Sequence, residues 1–211
     1  MSLYGDGFLH ALDMVVNQRI YLSTYDAMKD PDEGWWSVVE HKNHAIRPDE
    51  NHINIVAKKL RNIVDSVRYT SFTTGAICPL LWAHYAGGFS GIALEYDLDE
   101  TVYDIRKIDY KGSANVTLSQ IDEVISGKKL PQDIGILKQK MNCWEYEDEY
   151  RLYVNRPDEY ISGVKPMSII LGIKPSKYSD VFVKISRTYK VKIGYLSKRQ
   201  DEFVIRYFKN K

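Results

Sequence analysis

From Trp144 to Val154 the residue types alternate with period two: Trp-Glu-Tyr-Glu-Asp-Glu-Tyr-Arg-Leu-Tyr-Val. Strict alternation predicts a strand with two unlike faces. Trp144, Tyr146, Asp148, Tyr150 and Leu152 share one side; Glu145, Glu147, Glu149, Arg151 and Tyr153 share the other. Neighbours on one face stand about 6–7 Å apart. Two carboxylates followed by a guanidinium therefore point into one space. Crowded like charges raise a carboxyl pKa, while Arg151 holds its neighbour ionised. An acid beside an anion is what acid/base or oxocarbenium chemistry requires. The plainer reading is a solvated face whose ion pairs are each worth little.

Around this strand the pattern predicts an α+β protein with a mixed, mainly antiparallel sheet and flanking helices, one domain over residues 1–211. Phe8, Leu9, Leu12, Val15 and Val16 recur at helical spacing, and Arg19 to Ser23 follows as a strand. Residues 30–34 read as a turn, and Trp35 to Glu50 as irregular. Ile53, Val56, Leu60, Ile63, Val64 and Val67 stripe a second helix. Tyr69 to Thr74 is rich in β-formers. Pro79 opens a short helix that Gly87-Gly88 ends. Strands are expected over 91–97, 102–110, 168–173, 192–196 and 203–208, and helices over 118–126, 134–143 and 176–188.

The hydrophobic fraction of 44% suits a folded core. Net charge is +1, so there is no bulk pull toward nucleic acid or anionic membrane. No apolar run of about 18 residues occurs, and the start lacks a signal-peptide pattern. No membrane association and a cytoplasmic location are the default expectations. Cys78 and Cys143 adjoin apolar residues and read as buried free thiols.

Other stretches offer chemistry. In Leu81-Trp82-Ala83-His84-Tyr85, His84 is a candidate proton donor, or more plainly a core histidine bonded to a carbonyl. Trp82 and Tyr85 pair at i, i+3, and Gly87, Gly88 and Gly91 allow close approach of a ligand. The hydroxyls of Ser71 and Thr73, with Tyr69, share one face of their strand and suit a substrate ribose, although threonine also simply favours strands. His41, His44 and His52 lack the companions of a metal motif, so no metal is expected.

The order Ile20-Tyr21-Leu22-Ser23, Asp30-Pro31-Asp32-Glu33, Ser71-Phe72-Thr73, Leu81-Trp82-x-His84-Tyr85-Ala86, Gly91-Ile92-Ala93-Leu94-Glu95, Trp144-x-Tyr146-Glu147-x-Glu149-Tyr150-Arg151 and Ile169-Ile170-Leu171-Gly172 resembles the uncharacterised bacterial family called domain of unknown function 2971. The family opens with a longer Leu-Tyr-x-Tyr segment and an Asn-Asp-Pro-Phe turn, where this chain has Lys29-Asp30-Pro31-Asp32. The layout is also similar to ADP-ribosyltransferase-like domains, which carry a Ser/Thr-rich strand and a late Glu-x-Glu strand. That likeness implies NAD as a substrate. It gives Glu149 the role of stabilising the oxocarbenium ion and Glu147 that of activating the acceptor, with Ser71 and Thr73 on the hydroxyl strand and Arg19 or Arg68 at the pyrophosphate.

Two functions follow as expectations. The first is an enzyme acting on NAD or another nucleotide, such as a toxin or phage-defence effector with a protein or nucleic-acid acceptor. Its catalytic residues would be Glu149, Glu147 and His84, with Arg151, Trp82, Tyr85, Ser71, Thr73 and Tyr21 contacting substrate. The second is a non-catalytic binding or regulatory module, in which the Trp-x-His-Tyr and Glu-x-Glu-x-Arg motifs form a buried structural network. A nucleic-acid binder resting on Lys107, Lys111, Lys128, Lys129, Lys138 and Lys140 is disfavoured by the neutral charge.

Overall fold

The computed structural model describes residues 1–2, 6–25, 34–39, 50–174 and 176–208. In chain order the elements are α1 (Gly7–Val16), β1 (Arg19–Tyr21), β2 (Ser23–Thr24), β3 (Trp36–Val38), α2 (Glu50–Ser66), β4 (Arg68–Thr73), α3 (Pro79–Tyr85), β5 (Ile92–Glu95), β6 (Asp104–Lys107), β7 (Ala114–Val116), α4 (Leu118–Ile125), β8 (Glu149–Val154), β9 (Tyr160–Ser162), β10 (Ser168–Leu171), α5 (Ser179–Thr188), β11 (Lys192–Arg199) and β12 (Glu202–Tyr207). The class is α+β, and most strand pairs are antiparallel; β10 pairs with β11 and β3 with β7 in parallel. Contacts divide the chain into two compact units, residues 1–21, 73–103 and 160–211, and residues 22–72 and 104–159.

The first unit is built on the sheet β12-β11-β10-β5. Its central strand β10 is Ser-Ile-Ile-Leu, and every residue is buried. A continuous apolar run of this kind needs cover on both faces. Ile169 and Leu171 join a core with Ala11 and Val15 of α1 and Phe182 of α5. Ile170, on the opposite face, joins Trp82 of α3, Ala86 just after it and Leu196 from β11. Burying a side chain the size of Phe182 stabilises by about 1.5–3 kcal/mol.

The second unit carries the sheet β2-β4-β8-β6, the ribbon β3-β7, and helices α2 and α4. Val56, Leu60 and Val64, the expected stripe of α2, meet Ile121 and Val124 of α4 and Tyr153 of β8. A capping box starts α4. The Thr117 hydroxyl accepts from Gln120 N at 3.3 Å, and the Gln120 side chain accepts from Thr117 N at 2.8 Å, so donors with no partner inside the helix are satisfied.

Three expectations need correction. Residues 134–143 are not a helix. Gly135 and Leu137 take positive φ, 91° and 65°, and Lys138–Lys140 run beside Asp109–Gly112 instead, with Asp109 N donating to Lys138 O and Lys140 N to Asp109 O. Three apolar side chains, Ile134, Ile136 and Leu137, are buried within four positions, a density that one face of a helix does not accommodate. The alternating stretch is a strand only from Glu149; Asn142–Glu147 is a 3-10 helix, ended by Asp148 in the left-handed region. The segment expected to be irregular contains β3, which pairs in parallel with β7. Asp30 to Glu33, His41 and His44, and the His52 side chain, lie outside the described residues.

Candidate functional site

The 3-10 helix and the left-handed turn at Asp148 (φ 42°, ψ 53°) deliver Glu147 to the start of β8, so it reaches the same place as Glu149 by a route that strand alternation does not provide. Glu149 and Arg151 follow two residues apart on one face of β8. All three are buried, 5%, 4% and 0% exposed, and so is Lys140 at 7%. Four charges out of water hold together only if they compensate one another. They do so as two anions and two cations. Lys140 Nζ donates to Glu147 Oε2 at 2.6 Å and to Glu149 Oε2 at 3.0 Å. Arg151 donates from Nε to Glu149 Oε1 at 2.6 Å and from Nη2 to Oε2 at 3.1 Å.

Neighbouring elements complete the network. The Ser71 hydroxyl on β4 donates to Glu149 Oε1 at 2.5 Å, while Ser71 itself is exposed. Glu149 N donates to the Tyr110 hydroxyl at 2.8 Å. Arg151 Nη1 and the Tyr153 hydroxyl both donate to Leu137 O, at 2.8 and 2.6 Å, securing the carbonyl of the left-handed residue. The guanidinium lies 4.9 Å over the ring of Tyr69, and the ammonium of Lys140 5.5 Å over Trp144. Each oxygen of Glu149 thus accepts two donors. A carboxylate offers about four acceptor positions, so the set is full.

Burial works to lower the Lys140 ammonium, but the Glu149 charge and the hydrogen bond and charge of Glu147 outweigh it and hold the group above its ordinary 10.5. Burial also pushes Tyr110 and Tyr153 upward.

The structure therefore brings Glu147, Glu149, Arg151 and Ser71 together within one unit. Lys140, which closes the network, was missed as a partner, because it falls where a helix is expected and reads as one surface lysine among several. Of the other lysines, Lys107, Lys129 and Lys138 pair with Asp148, Glu123 and Asp109 at 2.7, 2.8 and 3.2 Å.

Trp82, His84, Tyr85, Thr73 and Tyr21 belong to the other unit. Trp82 is buried in its core, with Nε1 donating to Ala76 O at 2.7 Å. His84 is exposed, not a core histidine, and Tyr85 is exposed beside it. Thr73 is exposed, and its hydroxyl accepts from Gly75 N at 3.0 Å. Tyr21 on β1 packs edge-on against Tyr160 at 5.6 Å. Cys143, expected buried, is exposed on the 3-10 helix, and Cys78 is only half-buried; neither forms a disulfide. Among the described residues, no three His, Cys, Asp or Glu side chains gather as metal ligands, and no helix is long and apolar enough to cross a membrane.

Fold and site thus define an α+β chain with a buried, charge-balanced quartet beside the first residue of a strand. No family model, curated protein or solved structure matches it.

Proposed function

We propose that this chain is a non-catalytic binding or regulatory module, in which the Glu-x-Glu-x-Arg segment is a structural brace. The observation that carries the reading is the occupancy of Glu149: two donors on each carboxylate oxygen, from Ser71, Lys140 and Arg151. A nucleophile, a base or an oxocarbenium stabiliser needs a lone pair turned to its substrate. Here every such position already has a partner within the protein, and two of the donors are cations. The test pairs stability with turnover. Glu149→Gln should lower Tm by roughly 6–12 °C, a cost of about 3 kcal/mol for leaving buried cations uncompensated. The wild-type chain, incubated with NAD, should release no nicotinamide above the buffer rate. Turnover that disappears in Glu149→Gln, with Tm unchanged, would contradict the proposal.

One observation favours an NAD- or nucleotide-directed glycosyl-transfer enzyme as the second reading. A hydroxyl of the Ser/Thr-rich strand β4 meets the late-strand carboxylate, Ser71 on Glu149, which is the juxtaposition that the ADP-ribosyltransferase-like layout implies. Burial raises the Glu149 carboxyl, and the Lys140 charge and Ser71 hydroxyl pull it back only in part. Perturbed carboxyls of this kind are common at active sites. Under this reading substrate binding displaces Lys140 from Glu149, and nicotinamide release is the signal to look for.

A further inference from the structure

The sheet of the first unit has two edges, and among the described residues they differ. At the β5 edge the Met1 backbone exchanges both hydrogen bonds with Ile92: Ile92 N donates to Met1 O at 3.0 Å, and Met1 N donates to Ile92 O. At the other edge β12 pairs with β11 and with no other described strand. The register sets Gly194 opposite Tyr207, and Phe208 N donates to Ile193 O at 3.0 Å. Antiparallel hydrogen bonding alternates, so positions 202, 204, 206 and 208 bond to β11. The N–H and C=O groups of Phe203, Ile205 and Tyr207 then point away from the sheet. An edge of this kind is a template for another strand.

We propose that β12 forms a two-fold interface with a second copy of this chain, the two strands pairing antiparallel about Val204. The charges on the strand choose this occupant and this register. Glu202 and Arg206 stand two residues either side of Val204, and both are exposed. Two-fold pairing about Val204 sets Glu202 directly opposite Arg206 of the second copy, twice. Phe203 and Ile205 pair across the seam through the outward backbone groups. Glu202 and Arg206 fall at the non-hydrogen-bonded sites, where facing side chains come closest. Moving the axis by one residue sets Val204 opposite Arg206 and leaves Glu202 without its match. Phe203 and Ile205 pack on the apolar cluster of Trp82, Ala86, Ile170 and Leu196, and Phe89 stacks on Phe203 at 5.7 Å. The second copy's equivalents would extend that layer. A two-fold interface uses the same strand on both copies, so the assembly closes as a dimer rather than growing as a fibre.

Sedimentation equilibrium of the full chain over a concentration series tests this. The wild type should show a monomer–dimer equilibrium. Glu202→Arg and Arg206→Glu, each replacing two attractive pairs with two repulsive ones, should each weaken the dimer about tenfold or more. The double charge swap should restore it to within about threefold of wild type. Ile205→Pro removes an outward N–H without breaking a bond to β11, and should leave a monomer with an unchanged circular dichroism spectrum; if that variant unfolds, the charge swap decides. A wild type that stays monomeric, or a dimer whose strength ignores the single charge changes, overturns the proposal.

Discussion

Arg151 grips Glu149 from two positions along the same strand, with Nε on Oε1 at 2.6 Å and Nη2 on Oε2 at 3.1 Å. Here Lys140 and Ser71 fill the remaining acceptor positions, and Leu137 O takes the far side of the guanidinium. The result joins β4, β8 and the segment 137–140 by charge-assisted hydrogen bonds, each worth roughly twice a neutral one.

Arg151→Met should be among the most destabilising single changes in the second unit, by about 3–5 kcal/mol, because it leaves the Glu149 charge half-compensated and Leu137 O short of a donor. Arg151→Lys keeps the charge but loses the two-point contact, and should recover less than half of the loss. Urea unfolding read by tryptophan fluorescence checks both.

Ser71→Ala removes one donor from Glu149 at an exposed position. The expected cost is about 1 kcal/mol, well below that of Arg151→Met. Equilibrium unfolding at neutral pH gives the comparison.

Alkaline pH should weaken the protein partly through Lys140. Its folded-state pKa is raised above 10.5, so its stabilisation is complete below that pH and is lost as pH rises through the folded-state value. Tyr110 and Tyr153, raised by burial from 10.0, lose stability in the same direction. A Lys140→Met variant should start less stable at neutral pH and decline less steeply above pH 10.5. Melting temperatures measured at stepped pH for both proteins provide the check.

Asp148 turns the chain into β8 with φ 42° and ψ 53°, the left-handed region. Asp148→Gly should fall within about 0.5 kcal/mol of wild type, since the lost pair to Lys107 is exposed. Asp148→Val should cost about 1–2 kcal/mol, because a branched side chain is strained there. Thermal unfolding of the two variants separates backbone strain from charge.

The mainly antiparallel α+β class was legible in the sequence because its signals are local. The apolar run Ser168–Leu171, the stripe of α2 and the cluster of β-formers at Tyr69–Thr74 each declare their element. Glu147, Glu149 and Arg151 were legible as a group, although the geometry that unites them was not. The alternation of residue types between Trp144 and Asp148 falls on a 3-10 helix, in which Glu145 is exposed and Glu147 buried although a strand would set them on one face. Lys140 was hidden for another reason. Leu137 carries no local mark of a left-handed conformation, and that conformation exists because Arg151 and Tyr153 hold its carbonyl from β8. Long-range bonds of this kind leave no periodicity to read.

In a structural brace, Lys140 and Glu149 would hold each other rather than a substrate. A double-mutant cycle with Lys140→Met and Glu149→Gln, measured by urea unfolding at neutral pH, tests it most directly. The brace predicts that the two losses are strongly non-additive, with a coupling of about 1.5–3 kcal/mol. Additive losses, with a coupling within about 0.3 kcal/mol of zero, would contradict it.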